Sequence, residues 1–321
     1  MELFTYQNSS DGVRFTSSSG GLFSHLAEEV IAENGVVFGA AYNKDWNVEH
    51  TYSTDLTGLD KLKKSKYVFS ELNGSPKKAK EFLSEGRKVL YTGTPCQIAS
   101  LKQYLRKEYE ILLCMEVVCH GAPQKIAWES YLNELLLKLH RSKQDISNID
   151  FRDKSTGWDS YSFTISFNDG SNFTERATDN MFMRLFLSDY IIKRGCFRCP
   201  FKHHNTKADI TMGDLWGMKY LLPESYDKLG TSLVIANTEK GARTLSGIPM
   251  IGRLNMTDVV KYNPSIISCP AKPIDYEYFN KKLHTGISII SLGNCILNPS
   301  ITYRIIRKIR SFITNHIRYG G

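Results

Sequence analysis

The sequence has no long apolar run and lacks the usual fingerprints of nucleotide binding. A membrane-spanning helix needs roughly 18 or more consecutive apolar residues, and no segment of the 321-residue chain approaches that length. Gly-x-Gly-x-x-Gly and Gly-x-x-x-x-Gly-Lys-Ser/Thr are both absent, which excludes the common glycine-rich phosphate sites. The first six residues carry an acid and no basic segment. We therefore expect no signal peptide and a cytoplasmic protein.

The composition is that of an ordinary globular protein. Hydrophobic residues make up 41% of the chain and charged residues 23%, which excludes a disordered tail and a fibrous rod. The length suits one large domain or two fused lobes.

The net charge of +8 is concentrated near the carboxyl end. Residues 301–321 hold five basic side chains and no acid, and apolar residues alternate with them at helical spacing. The pattern predicts a basic amphipathic helix. Its basic face is either solvated, with the helix packed on the body, or a contact for a membrane surface or an acidic partner. No recognised nucleic-acid module accompanies the charge, so we expect no nucleic-acid partner.

Strand and helix patterns predict an α+β protein with mixed α/β character, in which central mixed sheets have flanking helices. Residues 1–150 form an α/β half, residues 151–300 an α+β half, and residues 301–321 the basic tail. The boundary near residue 150 is a change of pattern, with no visible linker. Predicted strands cover 36–42, 48–53, 88–92, 111–118, 161–167, 172–176, 208–212 and 232–236, and predicted helices cover 17–34, 76–85, 97–106, 124–140, 180–187 and 240–246.

Seven cysteines are scattered along the chain, and an odd, scattered set argues against a disulfide framework. Four of them lie in turns with glycine or proline close by: Cys96, Cys119, Cys196 and Cys199. Cys114, Cys269 and Cys295 lie in apolar or mixed segments, where we expect them to pack structurally.

Loop-borne thiols in a cytoplasmic protein suggest soft-metal ligation. Zinc sites usually have two closely spaced ligand pairs, whereas this chain has one Cys-x-x-Cys pair and two single cysteines. The Cys199-Pro200 step is also typical of iron–sulfur loops. Spacing alone leaves three alternatives, namely an iron–sulfur cluster, a zinc site and structural cysteines.

The segment Ser17-Ser18-Ser19-Gly20-Gly21 opens the first predicted helix. A capping box would need Glu or Gln three positions after the serine, and Leu22 follows Ser19 at that distance. Glycines at a helix start let an anionic group approach the free amides. The segment indicates either a phosphate site or a plain capped helix.

Several motifs, taken together and in order, resemble the beta-subunit family of coenzyme F420 hydrogenases and dehydrogenases. The resemblance covers roughly residues 11–236. Its motifs are Ser18-Ser19-Gly20-Gly21, Ser65-Lys66-Tyr67-Val68-Phe69-Ser70, Gly93-Thr94-Pro95-Cys96-Gln97, Cys119-His120-Gly121, Arg152-Asp153-Lys154 with Gly157-Trp158, Cys196-x-x-Cys199, and Gly213-Asp214-Leu215-Trp216-Gly217.

The resemblance implies a flavoprotein that binds FAD and a [4Fe–4S] cluster and passes electrons between them. It implies that the cluster ligands are Cys96, Cys119, Cys196 and Cys199. The implied FAD contacts are Ser18, Ser19, Gly20, Gly21, Lys66, Tyr67, Thr94, Gln97 and His120. Lys66 is either a flavin-stabilising cation or a solvated lysine, and Tyr67 either a flavin contact or a core residue. His120 is either a hydrogen-bond donor to the cluster or a capping or core histidine. Asp153 and Asp214 are interpreted as turn caps with no chemical role.

The sequence departs from many bacterial relatives, because it has no ferredoxin-like Cys-x-x-Cys-x-x-Cys-x-x-x-Cys-Pro run, and nothing in it indicates the deazaflavin coenzyme. Similar short bacterial chains occur near surface-polysaccharide genes. We expect an oxidoreductase that acts on a small molecule or on a protein-borne redox centre and uses an external ferredoxin, flavoprotein or partner subunit. Two alternatives stay open. One is an assembly protein with a structural metal, and the other is a transferase using Cys96 or Cys119 with His120 as base.

Overall fold

The computed structural model describes residues 2–202 and 205–299, and its described strands form two sheets. The large sheet has eight strands and the small sheet three. The strands are β1 Glu2–Tyr6, β2 Val36–Tyr42, β3 Val48–Ser53, β4 Val89–Gly93, β5 Leu112–Val117, β6 Ile146–Asp153, β7 Ser162–Phe167, β8 Asn172–Arg176, β9 Ile210–Asp214, β10 Ser232–Ala236 and β11 Gly252–Arg253.

Helices flank both sheets. They are α1 Asp11–Phe15, α2 Leu22–Ala32, α3 Leu56–Leu59, α4 Ser75–Ser84, α5 Pro95–Leu105, α6 Lys125–Lys138, α7 Met181–Leu187, α8 Met218–Leu221, α9 Glu239–Leu245, α10 Met256–Tyr262, α11 Tyr276–Leu283 and α12 Ile289–Leu297. No helix of the described ranges is long and apolar enough to cross a membrane.

The large sheet is mixed, in the order β11-β1-β10-β9-β5-β4-β2-β3. Parallel pairing connects four neighbouring strands, β2, β4, β5 and β9. Antiparallel pairing adds β3 beside β2 at one end, and β10, β1 and β11 beside β9 at the other end. The small sheet, β6-β7-β8, is antiparallel. The predicted α+β class is confirmed.

Strands with strong local patterns agree closely with prediction. The bounds of β2, β3, β8 and β10 are as predicted, and the Asn168-Asp169-Gly170 signal does connect β7 to β8 as a hairpin. Three strands were not predicted, and one of them, β11, is only two residues long. Strand β1 lies at the start of the chain and pairs with β10, more than 200 residues away. Strand β6 spans the predicted boundary at residue 150.

Helices cover both faces of the large sheet, so its parallel strands are buried on either side. Leu22 and Leu26 of α2 pack on one face, together with Leu245 of α9. Ile98 and Leu101 of α5 pack on the other face, together with α4. A separate aromatic core, which includes Trp128, Phe151, Phe163 and Phe182, lies between the small sheet and helices α6 and α7.

The large sheet takes strands from both sides of residue 150, since β9 and β10 pair beside β5 and β1. The division of the chain into two halves stays a prediction. The predicted basic helix at residues 301–321 lies outside the described residues.

Candidate functional site

A cavity of about 490 Å³ lies at the carboxyl ends of β4, β5 and β9. These strands are parallel neighbours, so their carboxyl ends meet at one edge of the sheet. Ligands of open α/β sheets bind outside this edge, and the volume falls within the roughly 300–1,000 Å³ of typical ligand sites. Eight predicted FAD contacts line the cavity: Ser18, Ser19, Gly21, Lys66, Tyr67, Thr94, Gln97 and His120.

The amino end of α2 faces this cavity. The helix begins at Leu22, five residues later than predicted, and its N-cap residue Gly21 has φ 90° and supplies no capping side chain. The first turn of α2 therefore has no side-chain cap of its own, and its amides are suited to an anionic ligand group.

Gly20 has a different role from its neighbour. A Cβ at Gly20 would lie 2.1 Å from the Tyr6 carbonyl oxygen and 2.6 Å from the Ser232 nitrogen, and Gly20 does not line the cavity. The absence of a side chain at Gly20 lets the loop pack against β10, whereas the ligand approach predicted for both glycines is available at Gly21 alone.

Lys66 reaches the cavity wall with its ammonium held by backbone carbonyls. Its Nζ donates to the carbonyl oxygens of Lys63 at 2.6 Å and Lys61 at 2.9 Å. Burial lowers the pKa of Lys66 to about 7, and Asp150 partly opposes this shift. An anionic ligand in the cavity would favour the charged form of the side chain.

An ion pair that the sequence interpretation missed joins the two sheets beside the cavity. Arg152 of β6 is fully buried and donates to both carboxylate oxygens of Asp214 of β9, at 3.1 and 3.2 Å. Trp158 Nε1 donates to the same carboxylate at 3.0 Å. Arg152 also donates to the Tyr67 hydroxyl and to the Ser18 carbonyl, both at 3.3 Å.

Arg152 and Asp214 therefore fix two parts of the predicted FAD site, and the interpretation of Asp214 as a turn cap is wrong. The signal was present, since both residues occur in motifs that carry the family resemblance. Local sequence could not show that they pair.

A hydrogen-bonded chain forms another part of the cavity wall. Thr94 and Gln97 form a capping box at the start of α5, and Gln97 Nε2 donates to Ser70 Oγ at 2.8 Å. Ser70 Oγ in turn lies 2.8 Å from His50 Nδ1, and His50 Nε2 donates to the Thr92 carbonyl at 2.8 Å. Burial lowers the pKa of His50 to about 4, so the imidazole is neutral near pH 7.

The cysteines predicted as ligands come from three parts of the chain. Cys96 lies in the first turn of α5 directly after β4, and Cys119 follows the neighbouring parallel strand β5. Cys196 lies in a 3-10 helix, Arg194–Arg198, and Cys199 follows it. The parallel pairing of β4 and β5 brings the first two turns to the same edge of the sheet.

Backbone contacts connect the Cys119 loop to the Cys-x-x-Cys loop. Lys193 donates its amide to the Ala122 carbonyl at 2.9 Å, and the Ala122 amide donates to Cys196 Sγ at 3.5 Å. Lys202 Nζ donates to the Cys119 carbonyl at 2.5 Å and to the Ser265 carbonyl. A cation is thus fixed beside the thiols.

The four thiols act on one another electrostatically. Burial raises the pKa of Cys119 to about 12; Lys202 opposes the rise, and the thiols of Cys196, Cys96 and Cys199 add to it. Among the residues that the structure describes, no three His, Cys, Asp or Glu side chains form a group placed to hold a metal ion. The four thiols are neighbours, but they are not drawn together around one centre.

His120 contacts two polar side chains. Its Nε2 lies 2.6 Å from Asp189 Oδ1, and its Nδ1 lies 3.1 Å from Ser265 Oγ. Both ring nitrogens are engaged, so the imidazole is not aimed at Cys96 or Cys119. This arrangement disfavours the transferase alternative, in which His120 would take a thiol proton.

The three remaining cysteines differ from one another. Cys114 is fully buried in the core against α5, as expected for a packing residue. Cys295 is exposed on α12, so its predicted packing role is wrong. Cys269 lies beside the thiol group, where the Cys199 amide donates to its Sγ at 3.3 Å. Pro270 follows Cys269, as Pro200 follows Cys199. This shared Cys-Pro sequence could have identified Cys269 as a residue of the thiol site.

Comparisons with known proteins support the family resemblance. A family model for the carboxyl-terminal region of the coenzyme F420 hydrogenase/dehydrogenase beta subunit matches residues 86–261. No curated protein matches the chain. Among solved structures, the fold is similar to a chain of the xenon-derivatised F420-reducing [NiFe] hydrogenase complex from Methanosarcina barkeri. The TM-score is 0.52 at 16% identity, over 94% of this chain and 93% of that chain.

Proposed function

Because this chain belongs to the coenzyme F420 hydrogenase/dehydrogenase beta-subunit family, we propose that it passes electrons between a [4Fe–4S] cluster and FAD. Membership in a family of redox enzyme subunits makes it a redox protein of the oxidoreductase class. The proposal adds the two cofactors, the residues that hold them and the use of an external electron carrier. The cluster supplies one-electron transfer, and the flavin supplies transfer of one electron or of a hydride.

The observation that carries the proposal is the position of Cys119. This residue lines the cavity. It also belongs to the thiol group, because it lies close enough to the thiols of Cys96, Cys196 and Cys199 for them to raise its pKa. A cofactor in the cavity and a cluster on the thiols would therefore share one wall of protein. Such adjacency is what electron transfer between two cofactors requires.

The cavity residues suit a flavin nucleotide. The uncapped start of α2 offers backbone amides to a phosphate, and Lys66 adds a cation at the same cavity. Tyr67 is held by Arg152 and lines the wall. We propose that these groups bind and orient FAD, and that the neighbouring apolar side chains, Phe186 and Leu187, exclude water from it.

The thiol group suits an iron–sulfur cluster better than zinc. A zinc ion holds its thiolates about 2.3 Å away on a single centre, whereas a [4Fe–4S] cluster takes four thiolates on separate irons. The chain offers one closely spaced cysteine pair and two single cysteines, whereas zinc sites usually take two close pairs, and this spacing supports the cluster. Thiols of raised pKa release their protons when metal binds, and Lys202 offsets part of the negative charge that results.

We propose that electrons reach the cluster from a ferredoxin, a flavoprotein or a partner subunit. Because Cys96 is exposed and Cys196 and Cys199 are partly exposed, the cluster site would be open to a docked carrier. The substrate would be a small molecule or a protein-borne redox centre, and a place in surface-polysaccharide chemistry stays a prediction from the family resemblance.

The test is anaerobic purification followed by cofactor analysis. The parent chain should carry FAD and about four irons, with visible absorbance from both. Cys119→Ser should lose most of its iron, since a [4Fe–4S] cluster needs four thiolates. Cys114→Ser is the matched control, because it removes a thiol of the neighbouring β5 strand and should leave iron unchanged.

A second variant pair tests the flavin site. Lys66→Ala should weaken FAD binding at least tenfold while iron per chain stays at the parent level. Lys61→Ala removes an exposed lysine close by in the chain and should bind FAD as the parent does. A parent chain without flavin and iron, or a Cys119→Ser chain with full iron, would contradict the proposal.

A further inference from the structure

A fifth thiol lies at the proposed cluster site, and it belongs to a segment that the family model does not cover. Cys269 follows the last matched residue, 261, by eight positions. Its Sγ accepts a hydrogen bond from the Cys199 amide at 3.3 Å, and it lies 3.8 Å from the Cys199 carbonyl oxygen. Cys269 thus contacts the backbone of a predicted ligand on both sides of its Cα.

The segment that carries Cys269 is attached to the thiol loops at several points. Ser265 accepts from Lys202 through its carbonyl and bonds to His120 through its hydroxyl. Asn263 Nδ2 donates to the Asp214 carbonyl at 3.3 Å. These contacts hold residues 263–269 against the site, so the position of Cys269 is set by the fold.

The contacts of Cys269 Sγ are those of a sulfur placed beside a predicted ligand. The Cys199 amide is aimed at this sulfur, and hydrogen bonds to sulfur are a usual feature of cluster ligands. Cys269 is also close enough to Cys199 for the two thiols to interact electrostatically. Both cysteines precede a proline, and both are partly exposed.

We propose that Cys269 is a reserve cluster ligand that binds iron in place of Cys199. In this exchange the bond from Cys199 sulfur to its iron breaks, and the released thiolate takes a proton from solvent. The S–H bond of Cys269 breaks, its proton passes to solvent, and its sulfur forms a bond to the same iron. No electron is transferred, so no oxidant or reductant is needed. The inference rests on the cluster of the proposed function.

The experiment measures iron per chain in four variants reconstituted anaerobically with iron and sulfide. Cys269→Ser should hold as much iron as the parent, since Cys199 is present. Cys199→Ser should keep at least half of the parent iron, with an altered electron paramagnetic resonance spectrum after reduction. Cys199→Ser/Cys269→Ser should fall to the low level of Cys119→Ser, because neither thiolate remains.

Alkylation gives an independent measurement that does not depend on how stable the double variant is. Iodoacetamide should label Cys269 in the iron-loaded parent, whereas iron should protect Cys269 in the Cys199→Ser chain. Labelled peptides are counted by mass spectrometry.

The possible failures are distinguishable. A parent chain that holds no iron would overturn the proposed function together with this inference. A parent with iron, combined with a Cys199→Ser chain as depleted as Cys119→Ser, would overturn the reserve role alone. Loss of iron in Cys269→Ser, full labelling of Cys269 in Cys199→Ser, or equal iron in the single and double Cys199 variants would also overturn it.

Discussion

Replacing Asp214 with asparagine should show how much the ion pair between the two sheets contributes to stability. The Asp214 carboxylate accepts hydrogen bonds from Arg152 at 3.1 and 3.2 Å and from Trp158 at 3.0 Å. The Arg152 side chain is 1% exposed and that of Asp214 is 17% exposed. Asp214→Asn removes the counter-charge and leaves the guanidinium buried.

Breaking a buried ion pair by removing one partner costs about 3–5 kcal/mol. Asp214 keeps some contact with solvent, and the Arg152 guanidinium still lies 4.0 Å from the centre of the Tyr161 ring. The free energy of unfolding should therefore fall by an amount near the lower end of this range, about 3 kcal/mol. At about 2 °C per kcal/mol for a chain of this size, the unfolding midpoint should fall by about 6 °C.

The assay is thermal unfolding followed by circular dichroism, with Glu110→Gln as the matched control. Glu110 and Arg243 form a shorter pair, 2.7 Å, but their side chains are 79% and 61% exposed. Exposed pairs contribute about 0–1 kcal/mol, so this variant should unfold within about 2 °C of the parent. Arg152→Met/Asp214→Asn should be less destabilised than Asp214→Asn, because no unpaired charge remains. If the unfolding midpoint fell no further for Asp214→Asn than for Glu110→Gln, the stabilising role of the buried ion pair would be refuted.

Three further outcomes are expected. Since the pKa of His50 is lowered from 6.5 to about 4, the unfolded chain takes up a proton between these values that the folded chain does not. Stability should then fall by about 3 kcal/mol as the pH drops from about 7 to about 4, and urea unfolding should show a smaller fall for His50→Gln. Gly20→Ala should destabilise the folded chain by about 1–3 kcal/mol, because the new Cβ would be overpacked against backbone atoms. Gly247→Ala is the control: its Cβ would meet nothing within 4 Å, so this variant should unfold within about 1 °C of the parent. Deleting residues 301–321 should slow reduction by an acidic ferredoxin at low salt, with the difference narrowing as salt rises; equal rates would contradict a docking role for the tail.

Local sequence patterns determined much of the secondary structure. Strands β2 and β10 are runs of apolar residues, and the β7–β8 hairpin is an alternating strand followed by Asn168-Asp169-Gly170. These signals are contained within a few residues, because side-chain periodicity and turn preference depend on the immediate backbone. Local patterns of the same kind also predicted that Cys96 and Cys119 lie in turns that follow strands.

Helix α2 shows where a local pattern was not enough. The serine and glycine turn was recognised, but the helix was expected from residue 17 and begins at Leu22. The helix begins after Gly21, because the φ of 90° at this residue is not helical. The preceding Gly20 is held against β10 by a hydrogen bond from its amide to Ser232 Oγ, 212 residues away, and local sequence does not show that contact.

Only the tertiary structure decided which residues pair across the sheets. Arg152 and Asp214 were visible as motif residues, and Cys269 as a cysteine before a proline. Their partners lie 62 and 70 residues away along the chain, and sequence spacing does not specify such distances in space. The order of strands places β9 beside β5, and this pairing forms the cavity edge. The sequence alone determined the types of group at the site, whereas long-range packing determined which of them meet.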